Sequence, residues 1–391
     1  METSCQTFSD MEFESLYSAQ EGPELNPTFF DEGNYTPIEE ILAFVESRTQ
    51  VVDVKSLLPQ LSLNGRVLEE DMDIYLRSKG CSSSSLKEAL KSPLHYLIST
   101  EEKEIRQDKS HFNLGTFCHT AFLEPEKFDA LAVEPEGGAL NSVDGAKILV
   151  NFWEDQAANI SNDILITAYA RTIDSGLSMD KLAGLKFYVT ELRKLCGKIS
   201  VDKTSYAIVK LIKKNYYRYG DGIIPELLKG AVPELSMYGT DEETGLPVKM
   251  RPDSLQIEEN IGCNAIISFK TTSADSVSKM QYDAAKYMYH LSEGMYSEVA
   301  ESITGRKFTA VICIMLQTVI PYLPVVFLYS PEDIANGKYR YRTALRNVKQ
   351  AMAKNYWPGF DVHAEEGHRG VINMNLPEWS LREELPQTID V

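Results

Sequence analysis

Asp253, Ser268 and Lys270 lie in the stretch RPDSLQIEENIGCNAIISFKTT, residues 251 to 272, in a pattern that can do phosphate chemistry. On a β-strand, residues i and i+2 project from the same face, so Ser268 and Lys270 point together, and Asp253 from the preceding strand can lie alongside them. A carboxylate beside an ammonium at a strand end is a pairing that holds Mg2+ and orients or activates a water for attack on a phosphodiester. The same pair is also an ordinary cross-strand ion pair. These three residues alone do not choose between a site and a strut.

The elements that must position them are readable from the pattern. PELSMYGT and GLPVKMRPDSLQI flank DEETG, a hairpin signal with glycine at its end, and CNAIISFK supplies a third short strand. SADSVSKMQYDAAKYMYHLSEGMYSEVAES then reads as one long helix carrying Met280, Ala284, Tyr287, Leu291, Met295 and Val299. FTAVICIMLQTV, almost wholly apolar and so central, and LPVVFLYS give two more strands, and a closing helix is predicted to start near Tyr339. The order β-β-β-α-β-β-α, preceded by helices, predicts an α/β (α+β) domain with a mixed central sheet flanked by helices and a helical N-terminal portion. The sheet core falls at 232–330 inside a domain of 77–355, with a C-terminal tail at 356–391.

Upstream, CSSSSLKEALKSPLHYLIS opens a serine-capped helix through Leu86, Leu90 and Leu94 that Pro93 should break or kink. HFNLGTFCHTAFLEPEKF places Leu114, Phe117, Cys118, Ala121 and Phe122 on one apolar stripe with His119 beside it. Long helical stretches fill much of 143–230. TPIEEILAFVESR reads as a short capped helix.

Composition narrows the class. Of 391 residues 43% are apolar and 25% charged, enough for a sizeable core, and no apolar run reaches the length of a membrane span. The six cysteines are scattered without a CxxC pair, which argues against a disulfide framework and a zinc site and favours a reducing, cytoplasmic setting, as does an acidic opening without a signal-peptide pattern. The net charge of -18 is concentrated at the start: residues 1–76 hold 16 acids against 3 bases, whereas 77–391 hold 41 against 36. Residues 1–76 therefore read as an acidic arm, partly disordered or a small docking module. Two basic stretches offer a phosphate-binding surface: Lys210, Lys213, Lys214 and Arg218 with interleaved tyrosines, and Arg340, Arg342 and Arg346 farther on. No zinc-finger or P-loop pattern appears.

Taken together, SPLHYL near 92, GTFCHTAFLEPEKF at 115–128, PELSMYGTDEETGLPVKMRPDSL at 233–255, IISFKTT at 266–272 and the helix ending in SEGMY at 292–296 resemble, in order and spacing, the PD-(D/E)XK nuclease superfamily and within it the RecE-like exonucleases of phages and prophages. The resemblance covers roughly residues 80–350. It implies a nuclease fold and a metal-dependent exonuclease with Mg2+ (or Mn2+) that cuts phosphodiester bonds at duplex DNA ends. It further implies a phage single-strand annealing protein as partner, and a ring-like homo-oligomer. Carried over by residue, it makes Asp253 the first motif carboxylate and a metal contact, Lys270 the lysine that positions water and stabilises phosphate charge, His119 a metal-side histidine, and Glu234 an accessory acid.

This chain departs from the pattern at two places. Ser268 stands where the family has Asp or Glu two residues before the lysine, and Ser292 stands where it prefers glutamine four residues before the tyrosine. Some restriction enzymes of the superfamily combine Ser-x-Lys with an acid on the following helix about fourteen residues past the lysine. Asp283 lies thirteen past Lys270, and Glu293 lies farther along. Either such an acid restores the site, or the chain is a catalytically impaired nuclease fold acting as a DNA-binding or protein-interaction module.

Overall fold

The computed structural model describes residues 34–101, 114–123, 126, 128 and 130–375. Residues 1–33, the first part of the acidic arm, and 376–391 of the C-terminal tail lie outside the described residues. The helices and strands that position the candidate site are α1 (Ile38–Ser47), β1 (Arg66–Leu68), α2 (Met72–Arg77), α3 (Ser83–Lys91), α4 (Pro93–Glu101) and α5 (Leu114–Leu123). They continue with β2 (Ala132–Glu134), α6 (Val143–Ala158), α7 (Asn162–Asp174), α8 (Leu182–Cys196), β3 (Ser200–Asp202) and α9 (Lys203–Arg218). After α10 (Ile223–Leu228) come β4 (Val232–Pro233), β5 (Ser236–Thr240), β6 (Pro247–Met250), β7 (Ser254–Gln256), α11 (Glu258–Ile261) and β8 (Asn264–Thr272). The chain then runs through α12 (Val277–Lys286), α13 (Tyr289–Thr304), β9 (Phe308–Gln317), β10 (Pro324–Leu328) and α14 (Pro331–Lys354).

A five-stranded mixed sheet in the order β10-β9-β8-β7-β4 is the centre of the fold. β8 and β9 run parallel, joined by the α12–α13 crossover, while β7 and β10 run antiparallel to their neighbours. β9 is buried at every position except the half-buried Thr309, as its apolar run predicts for a central strand covered on both faces. The alternation on β8 divides the core: Ile266 packs toward α3, α13 and α14, whereas Ala265, Ile267 and Phe269 pack toward α5 and α9. The domain is thus the mixed helix-and-sheet architecture that the pattern predicts, with a helical N-terminal portion. Helices α6 to α8 close their own apolar cluster around Trp153 and Leu192. No helix among the described residues is long and apolar enough to cross a membrane.

Four features differ from the sequence reading. The DEETG hairpin forms, but its strands β5 and β6 belong with β1 to a separate three-stranded sheet, and only β7 beyond Pro252 joins the central one. Residues 34–76 pack into the fold: β1 pairs with β5, and Ile41, Val54 and Leu61 are fully buried, Ile41 in the cluster under α5 and α9 and the other two in the cluster under α3, α13 and α14. The long helix after β8 breaks at Met288, whose φ of 49° is left-handed, so α12 and α13 take different directions. The last helix begins at Pro331, not near Tyr339, because Ser330 caps it by accepting the Asp333 backbone N–H at 3.1 Å and proline suits its first position.

Candidate active site

β7 and β8 pair antiparallel with Ser254 opposite Ile267, so Asp253, one step past the end of β7, comes level with Ser268. There its carboxylate Oδ2 accepts two hydrogen bonds, from the Phe269 backbone N–H at 2.6 Å and from Lys270 Nζ at 3.0 Å. Oδ1 turns toward His119 Nδ1, 3.9 Å away and beyond hydrogen-bond reach. His119 reaches this point from α5 around the edge of Phe269, whose ring centroid is 6.4 Å from its own. Asp253, Lys270 and His119, far apart in the chain, therefore meet at one strand end, each partly open to solvent (side-chain exposures of 18%, 24% and 29%).

Ser268 is fully buried, and its Oγ lies 2.8 Å from both carboxylate oxygens of Glu293 on α13. Glu293 is also fully buried. The acid missing from position 268 is thus supplied in space by the crossover helix, on the same strand face as Lys270. Asp283 sits on α12, partly buried, and among the described residues the hydrogen bonds of Ser268 and of the Lys270 ammonium go to Glu293 and Asp253 instead. Glu234 takes a left-handed backbone (φ 51°), donates its N–H to the Asp253 carbonyl at 3.1 Å, and accepts from Arg251 Nη2 at 2.9 Å. It braces the turn that carries Asp253, its charge committed to Arg251.

Charge and burial interact strongly here. Burial pushes the Glu293 carboxyl above its ordinary value, with the Lys270 ammonium and the Ser268 hydroxyl pulling it back and the Asp253 charge adding to the rise. Burial alone would pull the Lys270 ammonium down, but the Asp253 and Glu293 charges outweigh it and hold Lys270 above the ordinary lysine value. Lys87, which the sequence reading did not single out, and Tyr296, the tyrosine of the helix motif, complete the surroundings. Lys87 on α3 is brought down to about 8 by burial, with Glu293 opposing and Lys270 adding to the fall. Tyr296 on α13 lies within hydrogen-bond distance (3.2 Å) of the Ser83 hydroxyl. The serine run that caps α3 was the available signal for Lys87, since it places Ser83 and Lys87 one turn apart on the helix that faces α13.

The donor set limits the ion it suits. Among the described residues no group of three His, Cys, Asp or Glu side chains gathers to hold a metal unaided. Two carboxylates near one strand end are a donor set of the kind that suits Mg2+, which keeps several waters and takes one or two carboxylates beside substrate phosphates. Asp253 has an oxygen turned away from Lys270 and the backbone, and Glu293 is a buried carboxylate compensated by Ser268 and Lys270.

The two basic stretches fare differently. Lys210, Lys214 and Arg218 are exposed on α9, which packs on α5 beside His119, and Lys213 is partly exposed with its Nζ 5.4 Å from the centroid of Phe128. Arg342 instead pairs with Asp241 and Glu298, and Arg346 Nε binds Glu243 at 2.5 Å. Arg340 donates to Asn336 at 2.6 Å. Arg342 and Arg346 thus tie α14 to the hairpin, and Arg342 also ties it to α13.

No family model and no curated protein matches the chain. Solved structures do match. One is a crystal structure from Eubacterium rectale, provisionally described as an exonuclease, which aligns over 81% of this chain and 99% of that chain at 10% identity, with a TM-score of 0.42.

Proposed function

We propose that this chain is a metal-dependent DNA exonuclease of the RecE-like type, hydrolysing phosphodiester bonds at duplex ends. The observation that carries the reading is the placement of two carboxylates, Asp253 and Glu293, around Lys270 at one strand end. Asp253 and Glu293 are the residues that would hold Mg2+ or Mn2+, and the bound ion would supply a Lewis acid and a water of lowered pKa. Asp253 fixes the Lys270 ammonium where it can meet charge developing on the scissile phosphate, and their low-dielectric surroundings strengthen that interaction. His119 borders the same opening from α5. The exposed lysines of α9 would neutralise flanking phosphates without reading sequence. Resection for a single-strand annealing partner, assembly into a ring and a phage or prophage setting follow from the family resemblance.

The competing reading, a catalytically impaired nuclease fold that binds DNA or a protein, draws on Ser268 and on the lack of a three-ligand group among the described residues. Purified protein incubated with linear duplex DNA in Mg2+ or Mn2+ separates the two. Degradation that Lys270→Ala abolishes supports the enzyme; tight binding with no hydrolysis in either metal removes it.

A further inference from the structure

Tyr287 and Tyr289 stand at the break between α12 and α13, on either side of the left-handed Met288. A non-glycine residue in that conformation costs on the order of 1 kcal/mol, and its effect here is to bring the two tyrosine rings together, with centroids 5.8 Å apart and planes 28° from parallel. Tyr289 is partly buried against the candidate site. Lys270 Nζ lies 5.7 Å from its ring centroid, and Lys87 Nζ lies 5.6 Å from the same centroid. Lys87 also donates to the Tyr287 carbonyl at 2.9 Å, which fastens the bend to α3. Packing accounts for Tyr289. It does not account for Tyr287, which is 51% exposed and has the Lys286 ammonium 5.8 Å from its ring.

An aromatic ring in solvent with the Lys286 ammonium beside it, next to a second ring that has Lys87 and Lys270 within 6 Å of its centroid, has the chemistry of a nucleobase platform. A flat π-face suits any base, and the ammonium groups suit the phosphates on either side of it. A base inside a duplex is stacked on both faces and a terminal pair on one, so an unpaired base is the one most free to rest on such a ring. Resting on the nuclease reading, we infer that Tyr287 stacks against an unpaired base of the DNA strand whose phosphodiester lies at Lys270. The site then takes a terminus whose bases are already unpaired in preference to a fully paired one.

The test uses the full chain in EDTA, so that hydrolysis is blocked, and two duplexes that differ only in a blunt end or a frayed end of three unpaired nucleotides. The unpaired strand carries 2-aminopurine in place of adenine, whose fluorescence reports stacking, and anisotropy reports binding. Wild-type protein and Tyr287→Phe should alter the 2-aminopurine emission on the frayed duplex. Tyr287→Ala should abolish that change and bind the frayed end roughly five- to a hundredfold more weakly, with a smaller loss on the blunt end. Unchanged emission with the wild type, or equal weakening on both duplexes, would overturn the platform while leaving the nuclease reading intact. Failure of wild-type protein to bind either duplex would remove both, and anisotropy distinguishes that case directly.

Discussion

Ser268 Oγ lies within 2.8 Å of both carboxylate oxygens of Glu293, a residue 25 positions later on the crossover helix. This pairing puts a carboxylate on the strand face where position 268 itself has none, and it makes the two positions exchangeable in principle. Glu293→Gln keeps the size and a hydrogen-bond partner for Ser268 but removes the charge. Cleavage in Mg2+ should fall on the order of a hundredfold or more, and Mg2+ affinity measured by calorimetry should fall with it. Adding Ser268→Asp to Glu293→Gln should restore a substantial part of both. If the double variant is no better than Glu293→Gln, the carboxylate is not shared between these positions.

The backbone under Glu293 is as constrained as its side chain. A Cβ on Gly294 would meet the Lys338 amide nitrogen at 2.5 Å, and one on Gly337 would meet the His290 carbonyl at 1.9 Å. The crossing of α13 and α14 therefore depends on two glycines, and a methyl at either must push the helices apart. Gly337→Ala should lower stability by about 1–3 kcal/mol in urea unfolding. Because α13 carries Glu293, cleavage by the folded variant should also fall. A variant with wild-type unfolding would show that the crossing has slack.

Much of this was legible in the sequence for a definite reason. The i, i+2 geometry of β8 and the unbroken apolar run of β9 are strand signals that hold in a sheet covered on both faces, and the shared face of Ser268 and Lys270 was readable from them. Glu293 was harder, because helical phase is read by assuming an unbroken helix. Ten residues separate it from Asp283, which on a continuous helix turns them about 80° apart, and the break at Met288 resets that relation. The role of Arg342 was hidden for another reason: its partners Asp241 and Glu298 come from a hairpin and a different helix, and no local pattern records such pairs. The anchoring of residues 34–76 was masked by their acidity, although Ile41, Val54 and Leu61 were already apolar anchors.

Charge on α9 should be read out by salt. Every phosphate that a cationic side chain no longer neutralises lowers the slope of log binding constant against log salt by about 0.9 for duplex DNA. Lys214→Ala and Arg218→Ala should each weaken DNA binding and flatten that slope by roughly one unit. Arg342→Ala should instead leave the slope near wild type and lower stability, because it strands the buried Asp241 without its partner. A slope change for Arg342→Ala equal to that of Lys214→Ala would return α14 to the DNA surface.

His290 gives the fold an acid-sensitive point close to the site. Burial, then the charges of Arg340 and Lys87, lower its pKa from 6.5 to about 3. The folded chain therefore keeps the ring neutral between those values while the unfolded chain takes up a proton. Stability from this group is fully present above about pH 6.5 and is lost as pH falls toward 3, by up to roughly 1.4 kcal/mol per pH unit. His290→Gln removes the titrating group, so the decline in unfolding free energy from pH 7 to pH 4 should be shallower for the variant than for wild type. Parallel declines in chemical denaturation across that range would mean that the imidazole is protonated in the folded chain, and that the Arg340 and Lys87 charges do not reach it.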